Sequence, residues 1–298
     1  MSISIVGVVG LGNMGLPMAV SLARHGFTVL GFDLSAARRD LAATQGIRPV
    51  AEVADLLRAA DAVVSSLPLG RDVEALVRTP GGLLERRDRR VTLVDTSTAD
   101  PGTSRRLAAL LDAAGHGHLD APVSGGPAGA AAGQLTMMIG GSEADFAAAQ
   151  PVLQALSGRA VHVGPSGAGN VAKLINNMLV AAHLITNGEA FRLAEAAGVK
   201  AEAVLVVVNA ATGRSAVSED FFPKWVLSGR FDSGFAAGLM RKDVGLAAEL
   251  AREVGLDLPL SGKVAALWAE SREAVPDDAD FTRMAACQPP KGQPREEG

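Results

Sequence analysis

Residues 5–15 read Ile-Val-Gly-Val-Val-Gly-Leu-Gly-Asn-Met-Gly, an apolar run of strand length that ends directly in Gly10-x-Gly12-x-x-Gly15. A helical pattern with Pro17 in its first turn follows at once. Three glycines at this spacing between a strand and a helix have separate duties. The first permits a tight turn, the second lets the backbone approach a pyrophosphate, and the third lets the helix pack close on the strand. The free N–H groups and positive dipole end of the helix then face the phosphates. The motif is weak evidence alone, but the next apolar run, Thr28–Phe32, ends at Asp33, about twenty residues beyond the glycines. An acidic side chain there bonds the ribose hydroxyls of NAD and repels the 2′-phosphate of NADP. Arg38 and Arg39 follow closely, so NAD is favoured and NADP stays open. The candidate cofactor contacts are Gly10, Leu11, Gly12, Asn13, Met14, Gly15 and Asp33. Leu67-Pro68 and Thr96-Ser97-Thr98, at the ends of two later apolar runs, fit the same crevice. Taken singly, each of those two segments is more often a plain turn.

The first half of the chain alternates short apolar runs with helical patterns. Strands are expected over Ile5–Val9, Thr28–Phe32, Ala62–Leu67, Val91–Asp95 and Gly117–Asp120, with helices over Pro17–His25 and Ala36–Thr44. Such alternation implies βαβ units and a parallel sheet. Gln134–Gly141 and Ala160–Val163 read as further strands flanking a helix over Glu143–Leu156. The pattern then changes. From Gly169 to Gly198 there is no proline and only Gly188 inside, which predicts one long helix. More helices are expected around Ala203–Ala211, Ala237–Val254 and Gly262–Glu270. The simplest partition is a doubly wound Rossmann-type α/β domain over 1–165 and an all-helical domain over 166–287. A disordered tail over 288–298 completes it, rich in proline and charge.

Composition narrows the function classes. With 298 residues, 48% hydrophobic and 20% charged, the chain suits a globular protein of two domains. A net charge of −4, with the short Arg86-Arg87-Asp88-Arg89-Arg90 run its main basic cluster, argues against a nucleic-acid partner. Cys287 is the only cysteine, which excludes an internal disulfide. Of the histidines only His116 and His118 are close together; they alternate on an expected strand with no third ligand, so no metal site is expected. The amino terminus lacks a basic leader and no apolar run reaches about 18 residues, so no membrane association is expected and the protein is read as cytoplasmic.

Two later segments carry chemistry. Lys173, Asn176 and Asn177 stand at i, i+3 and i+4 and share one face of the long helix, among Val171, Leu174, Ile175, Met178 and Leu179. A lysine on a mostly buried helix bears a charge that is expensive to desolvate, which suits proton transfer. The bland reading is a lysine snorkelling from a packed helix. Asp120-Ala-Pro-Val-Ser124-Gly125-Gly126-Pro127 ends a strand with a hydroxyl and two glycines. Consecutive N–H groups in such a turn form an anion-binding concavity suited to a carboxylate. On these residues alone a structural turn is as good a reading.

The order of the motifs resembles the β-hydroxyacid dehydrogenases, a family that includes 3-hydroxyisobutyrate dehydrogenase and tartronate semialdehyde reductase. Gly10–Gly15, Asp120–Gly126 with Gly133-Gln-Leu-Thr136 and Gly140-Gly141, Gly167–Asn177, and Lys242-Asp243 carry the resemblance, which spans about residues 3–285. It implies a Rossmann-type domain, a long interdomain helix bearing a catalytic lysine, and a helical domain of the 6-phosphogluconate dehydrogenase kind that dimerises. Lys173 matches the catalytic lysine, and Asn177 and Asn176 match amides that orient substrate. Ser124, Gly125 and Gly126 match the loop for the substrate carboxylate. Thr98 and Lys242 match cofactor-contacting positions, although Lys242 also reads as a salt-bridging residue. Phe235 matches an aromatic near the substrate. There are departures: the Pro-Ala-Gly stretch after Gly126 differs in detail, and Asp280-Phe-Thr282 echoes the closing motif only loosely. The chain has no tyrosine, so a phenol takes no part. Imine reductases share the fold but usually place another residue where Lys173 stands.

The expected function is hydride transfer between NAD and a small β-hydroxy acid, 3-hydroxyisobutyrate being the first candidate. Neutral Lys173 would take the hydroxyl proton and protonated Lys173 would return it, for which burial and the cationic nicotinamide must lower its pKa. A reductase of tartronate, succinic or glyoxylic semialdehyde is the alternative; a non-catalytic dinucleotide-binding scaffold is the reading from another class. The expected partners are a carboxylate-bearing small molecule and further copies of the chain, as a homodimer or homotetramer. Arg214, Phe221, Phe222, Trp225 and Phe235 are candidates for shaping the pocket.

Overall fold

The computed structural model describes residues 3–287, so the tail expected at 288–298 lies outside the described residues. The chain divides into two compact units, Met1–Lys173 and Leu174–Gly298.

The first unit is built on a nine-stranded sheet. Its strands are β1 (Ile5–Val9), β2 (Thr28–Phe32), β3 (Arg48–Pro49), β4 (Ala62–Ser65), β5 (Thr92–Asp95), β6 (Gly117–Asp120), β7 (Val123–Ser124), β8 (Leu135–Gly140) and β9 (Ser157–Gly164). The order is β3-β2-β1-β4-β5-β6-β8-β7, with β9 on β8. From β3 to β6 every pairing is parallel. This is a doubly wound α/β sheet of the Rossmann type. β8 runs antiparallel to both β6 and β7, so the sheet is mixed at this end; an apolar run does not encode its own direction. The helices of this unit are α1 (Gly15–Arg24), α2 (Ala36–Thr44), α3 (Val53–Ala59), α4 (Gly70–Val77), α5 (Pro101–Ala113), α6 (Gly126–Ala132) and α7 (Glu143–Leu156). The sequence pattern picked out α1, α2 and α7 but not the four others, three of which span only seven or eight residues.

The central strands are valine-rich and buried, as a sheet covered on both faces requires. One layer of core packs Leu16, Met18, Leu22, Val152 and Leu153 against the sheet. The other packs Leu56, Leu57, Val73, Leu76, Leu107 and Leu111.

The second unit is mostly helical. The long helix α8 (Ala168–Ala196) enters it and is followed by α9 (Ala201–Ala210), a π-helical turn over Val217–Val226, α10 (Ala237–Glu253), α11 (Pro259–Glu270) and a 3-10 helix over Phe281–Ala285. Its core centres on Trp268, Phe222, Leu184 and Phe191. Arg241 is buried within it, donating from Nε to the Trp268 carbonyl at 2.8 Å and from Nη2 to that of Val275 at 2.9 Å, and pairing with Asp277. Among the described residues no helix is long and apolar enough to cross a membrane.

The compact division falls inside α8, at 173/174, rather than at the glycine-rich break near 165/166 where the composition changes. The reason is packing: the first turns of α8 belong to the sheet. A side chain at Gly169 would run into the carbonyl oxygens of Asp120 and Met138, and one at Gly140 would lie 2.7 Å from the Gly169 nitrogen. The obstacles are backbone atoms, of the strands for Gly169 and of α8 for Gly140, and cannot step aside. Gly169→Ala should therefore destabilise the chain by about 1–3 kcal/mol or more, read as a lower urea midpoint. Gly262→Ala, on α11 in open space, should be neutral or stabilise by up to about 1 kcal/mol.

Candidate active site

The glycine loop has the geometry its spacing predicts. Gly10 has φ +89°, and a side chain on it would press on Ser66. A side chain on Gly15 would run into the Gly10 carbonyl, so this helix can start here only on glycine. Gly12 is different: nothing lies within 4 Å of where its Cβ would be. The loop is tight at its two ends and open at its middle, the shape that admits a pyrophosphate against the backbone. The loop is held at its side by Asp33, whose Oδ2 accepts the Leu11 N–H at 2.8 Å while Oδ1 accepts that of Ser35, also at 2.8 Å. Arg39 does not reach for that carboxylate; its guanidinium donates to the carbonyl of Asp33. Asn13 and Met14 complete the turn, Asn13 exposed and Met14 partly buried.

The loops after β4 and β5 lie together. Leu67 donates its N–H to Ser97 Oγ at 2.9 Å, which ties Leu67-Pro68 to the segment carrying Thr98. Beneath them a polar row crosses three neighbouring strands in register, Ser65 beside Asp95 and Asp95 beside Asp120. All three are at most 2% exposed. Asp95 accepts from Ser65 Oγ at 2.8 Å and from the Ser97 N–H at 3.0 Å. Burial nevertheless pushes its carboxyl up to about 6, with the hydrogen bonds from Ser97 and Ser65 opposing and the nearby Asp120 charge adding to the rise. Burial also raises Asp120, against the backbone N–H groups that point at it.

Asp120 Oδ1 accepts the Gly167 N–H at 2.7 Å and Oδ2 that of Asn170 at 2.9 Å, so the carboxylate sits on the first turn of α8. Asn170 is fully buried; its Oδ1 accepts the Ala99 N–H at 3.1 Å and its Nδ2 donates to Ser104 Oγ at 2.9 Å. One turn further along, Lys173 is 8% exposed and donates from Nζ to the Val123 carbonyl at 2.8 Å. Val123 immediately precedes Ser124. Ser124 pairs with Thr136 across β7 and β8, and Gly125 (φ +125°) and Gly126 (φ +63°) turn the chain outward into α6 with both glycines exposed. The amine and the Ser124–Gly126 turn are thus held side by side in one unit. Beside Lys173 and Ser124–Gly126, which the sequence pattern singled out, the structure places Asp95, Asp120 and Asn170, which it did not. The available signal was a polar residue closing each of three successive apolar strands.

The remaining candidates belong to the second unit. Asn177 follows Lys173 by one turn of the same helix and is 4% exposed. Its Oδ1 accepts from Asn176 Nδ2 at 3.0 Å, and its Nδ2 donates to Asp243 Oδ2 at 2.6 Å. Lys242 Nζ lies 3.3 Å from the other oxygen of Asp243, so the ion-pair reading of that lysine is realised within the helix itself. Phe235 stands edge-on to Phe281 at 5.3 Å, and Phe281 to Phe221 at 5.7 Å, which in turn meets Trp225 at 5.1 Å. Phe222 does not join this row; it is 2% exposed and packs on Phe191 in the core, which removes it from the pocket candidates. Arg214 lies 3.7 Å from Glu219.

His116 and His118 are both buried. Burial lowers both, His118 to about 4, and both ring nitrogens of His118 lack a hydrogen-bond partner. Among the described residues no group of three or more His, Cys, Asp or Glu side chains could hold a metal ion.

Comparison with known proteins supplies the family. Residues 5–164 match the model of the NAD binding domain of 6-phosphogluconate dehydrogenase. Residues 167–287 match that of the NAD-binding domain of NADP-dependent 3-hydroxyisobutyrate dehydrogenase. The chain is 36% identical over 267 residues to 2-(hydroxymethyl)glutarate dehydrogenase of Eubacterium barkeri, covering 90% of this chain and 89% of that one. The chain belongs to the β-hydroxyacid dehydrogenase family. Another relative in this family is the NAD-dependent L-serine dehydrogenase of Pseudomonas aeruginosa, 35% identical over 270 residues and covering 88% of this chain and 90% of that one. The solved structure of Mycobacterium tuberculosis 3-hydroxyisobutyrate dehydrogenase with L-serine superposes with a TM-score of 0.88 at 34% identity, covering 96% of this chain and 99% of that one. As a β-hydroxyacid dehydrogenase the chain is an NAD(P)-dependent oxidoreductase of hydroxy acids.

The buried Asp95 makes stability depend on pH. Its carboxyl titrates near 3.8 when solvated and at about 6 in the folded protein. Between those values the folded state holds the extra proton, so this group lowers stability as pH rises. Asp95→Asn imitates the neutral carboxyl. Its stability relative to wild type should rise by on the order of 3 kcal/mol between pH 4 and pH 7, read by urea unfolding at both values. A difference independent of pH would show that Asp95 is not destabilised by its burial.

Proposed function

We propose that this β-hydroxyacid dehydrogenase oxidises short 3-hydroxy acids of the form HO–CH2–CHR–COO⁻, with NAD as cofactor and Lys173 as the general acid/base. The observation that carries the reading is the Lys173–Val123 hydrogen bond, which fixes an amine beside the Ser124–Gly126 turn. The relatives support the substrate class. The compounds named for them, 3-hydroxyisobutyrate, L-serine and 2-(hydroxymethyl)glutarate, share that three-carbon core and differ only in R.

In this reading the backbone of Gly10–Gly15 would receive the pyrophosphate, Asp33 the adenosine ribose, and Leu67, Pro68 and Thr98 further parts of the dinucleotide; Lys242 is assigned to the cofactor by the family resemblance. The fixed charge of Asp33, held by two backbone N–H groups, favours NAD over NADP. Bound NAD supplies the hydride acceptor. Ser124 Oγ and the N–H groups of Gly125 and Gly126 hold the substrate carboxylate. Lys173 Nζ, neutral, takes the proton of the substrate hydroxyl as the carbon gives up its hydride, and the product is an aldehyde. In the reverse direction the ammonium returns that proton to the carbonyl oxygen. Asn177, with Asn176 beside it, orients the hydroxyl, and Asp243 fixes the Asn177 amide by accepting from its Nδ2. Phe235 faces R. The helical unit exposes Val206, Val207 and Leu260, each at least 65% accessible, and these support assembly as a homodimer or homotetramer. Light scattering of the purified chain tests that assembly; a monomer at micromolar concentration refutes it.

Lys173→Ala should lower kcat by about 10²–10⁴-fold and leave the NADH dissociation constant near that of wild type. Wild-type turnover in a folded Lys173→Ala protein would remove the mechanism. Across 3-hydroxyisobutyrate, L-serine, 3-hydroxypropionate and 2-(hydroxymethyl)glutarate, kcat/KM should be higher with NAD than with NADP for each acid turned over. A preference for semialdehyde reduction with NADPH would favour the alternative substrate class instead.

A further inference from the structure

We propose that Asp120 is a positioning residue for Lys173, acting through the first turn of α8 with Asn170 as its relay. The proposal rests on the role given to Lys173 above. A helix begins with N–H groups that have no partner inside it, and two of those at the start of α8, from Gly167 and Asn170, are taken by the two oxygens of one carboxylate. That carboxylate is fully buried at the end of a central strand, and negative charge at a helix amino terminus is favoured by the dipole. Asn170 extends the grip. Its amide bonds Ala99 and Ser104, so the same helical turn is fixed to β6, to the loop after β5 and to α5. Gly140 and Gly169 remove the slack, since a methyl group on either would collide with strand backbone or with Asp120 itself.

The arrangement closes into a ring. Asp120 holds the start of the helix; three residues on, Val123 accepts the Lys173 ammonium 2.8 Å away, and the next residue opens the carboxylate turn. The strand–turn segment Asp120–Gly126 therefore sets both the axial position of α8 and the place of the substrate anchor. A shift of the helix by about 1 Å would separate amine from hydroxyl, and misplacements of that size cost on the order of 100-fold in rate. A plain helix cap would supply stability and nothing more. A positioning residue must act through the lysine.

The test is a double-mutant cycle on the full-length enzyme, reading kcat for a turned-over hydroxy acid alongside NADH affinity. Asp120→Asn keeps the shape but offers an N–H₂ group where one backbone N–H needs an acceptor. It should lower kcat by about 10- to 100-fold with NADH affinity within about twofold. Placed on Lys173→Ala, the same substitution should cost less than about twofold, because residues that act through one another are not additive. Ser104→Ala withdraws a single hydrogen bond from Asn170 and carries the test should Asp120→Asn fail to fold. Its smaller loss of kcat, about three- to tenfold, should likewise vanish on Lys173→Ala. Wild-type kcat in a folded Asp120→Asn, or an equal loss in both backgrounds for either variant, overturns the proposal. Unimpaired turnover in Lys173→Ala alone would instead overturn the reading of the lysine, so the two failures are distinct.

Discussion

The carboxylate of Asp120 on the first turn of α8 is the contact on which the site's geometry depends. A long helix packed only by apolar surface can slide or rotate by a fraction of a turn at small cost. Two hydrogen bonds from backbone N–H groups to one buried carboxylate cannot follow such a shift. They fix the helix at the one place where its displacement would matter, a single turn before Lys173. The cost is the burial of a charge, visible in the raised carboxyls of Asp120 and of Asp95 beside it. The sheet accepts two neighbouring acids at its carboxyl edge, Asp95 stabilised by Ser65 and the Ser97 N–H and Asp120 by the N–H groups of Gly167 and Asn170.

Those loops explain why the functional residues are so scattered in sequence. Ser65, Asp95 and Asp120 stand in register on three parallel strands, and each hands its strand over to a loop on the same edge. Leu67-Pro68, Thr96–Thr98 and Val123–Gly126 follow these three positions. The general rule that ligands bind beyond the carboxyl ends of such strands here has a material basis. The last residue of each strand is polar and makes a bond at that edge: Ser65 to Asp95, Asp95 to the Ser97 N–H in its own loop, and Asp120 to the start of α8.

Much of this was legible in the residues. Gly10, Gly12 and Gly15 announced the loop because their spacing has few other uses, and the structure gives them unlike surroundings, tight at Gly10 and Gly15 and open at Gly12. The strands Ile5–Val9 and Thr28–Phe32 were readable because buried parallel strands are continuous apolar runs between turn signals. α8 was readable from its length without proline. What stayed hidden depends on partners distant in sequence. The antiparallel course of β8 is decided by where the chain returns. Asn170 lies within a motif that was read for its lysine, and its partners Ala99 and Ser104 are more than sixty residues away. Phe222 looked like its neighbours Phe221 and Trp225, but the π-helical turn directs it into the core.

The proposed function requires Ser124–Gly126 to hold a carboxylate at a fixed distance from Lys173. The most direct measurement compares kcat/KM for 3-hydroxyisobutyrate and for isobutanol, the same alcohol with a methyl group in place of the carboxylate, in wild type and in Ser124→Ala. The acid should be strongly preferred by wild type. Ser124→Ala should lose about 10- to 100-fold on the acid, the value of one hydrogen bond to a charged group, with no loss on the alcohol. Equal efficiency on acid and alcohol in the wild-type enzyme would contradict it.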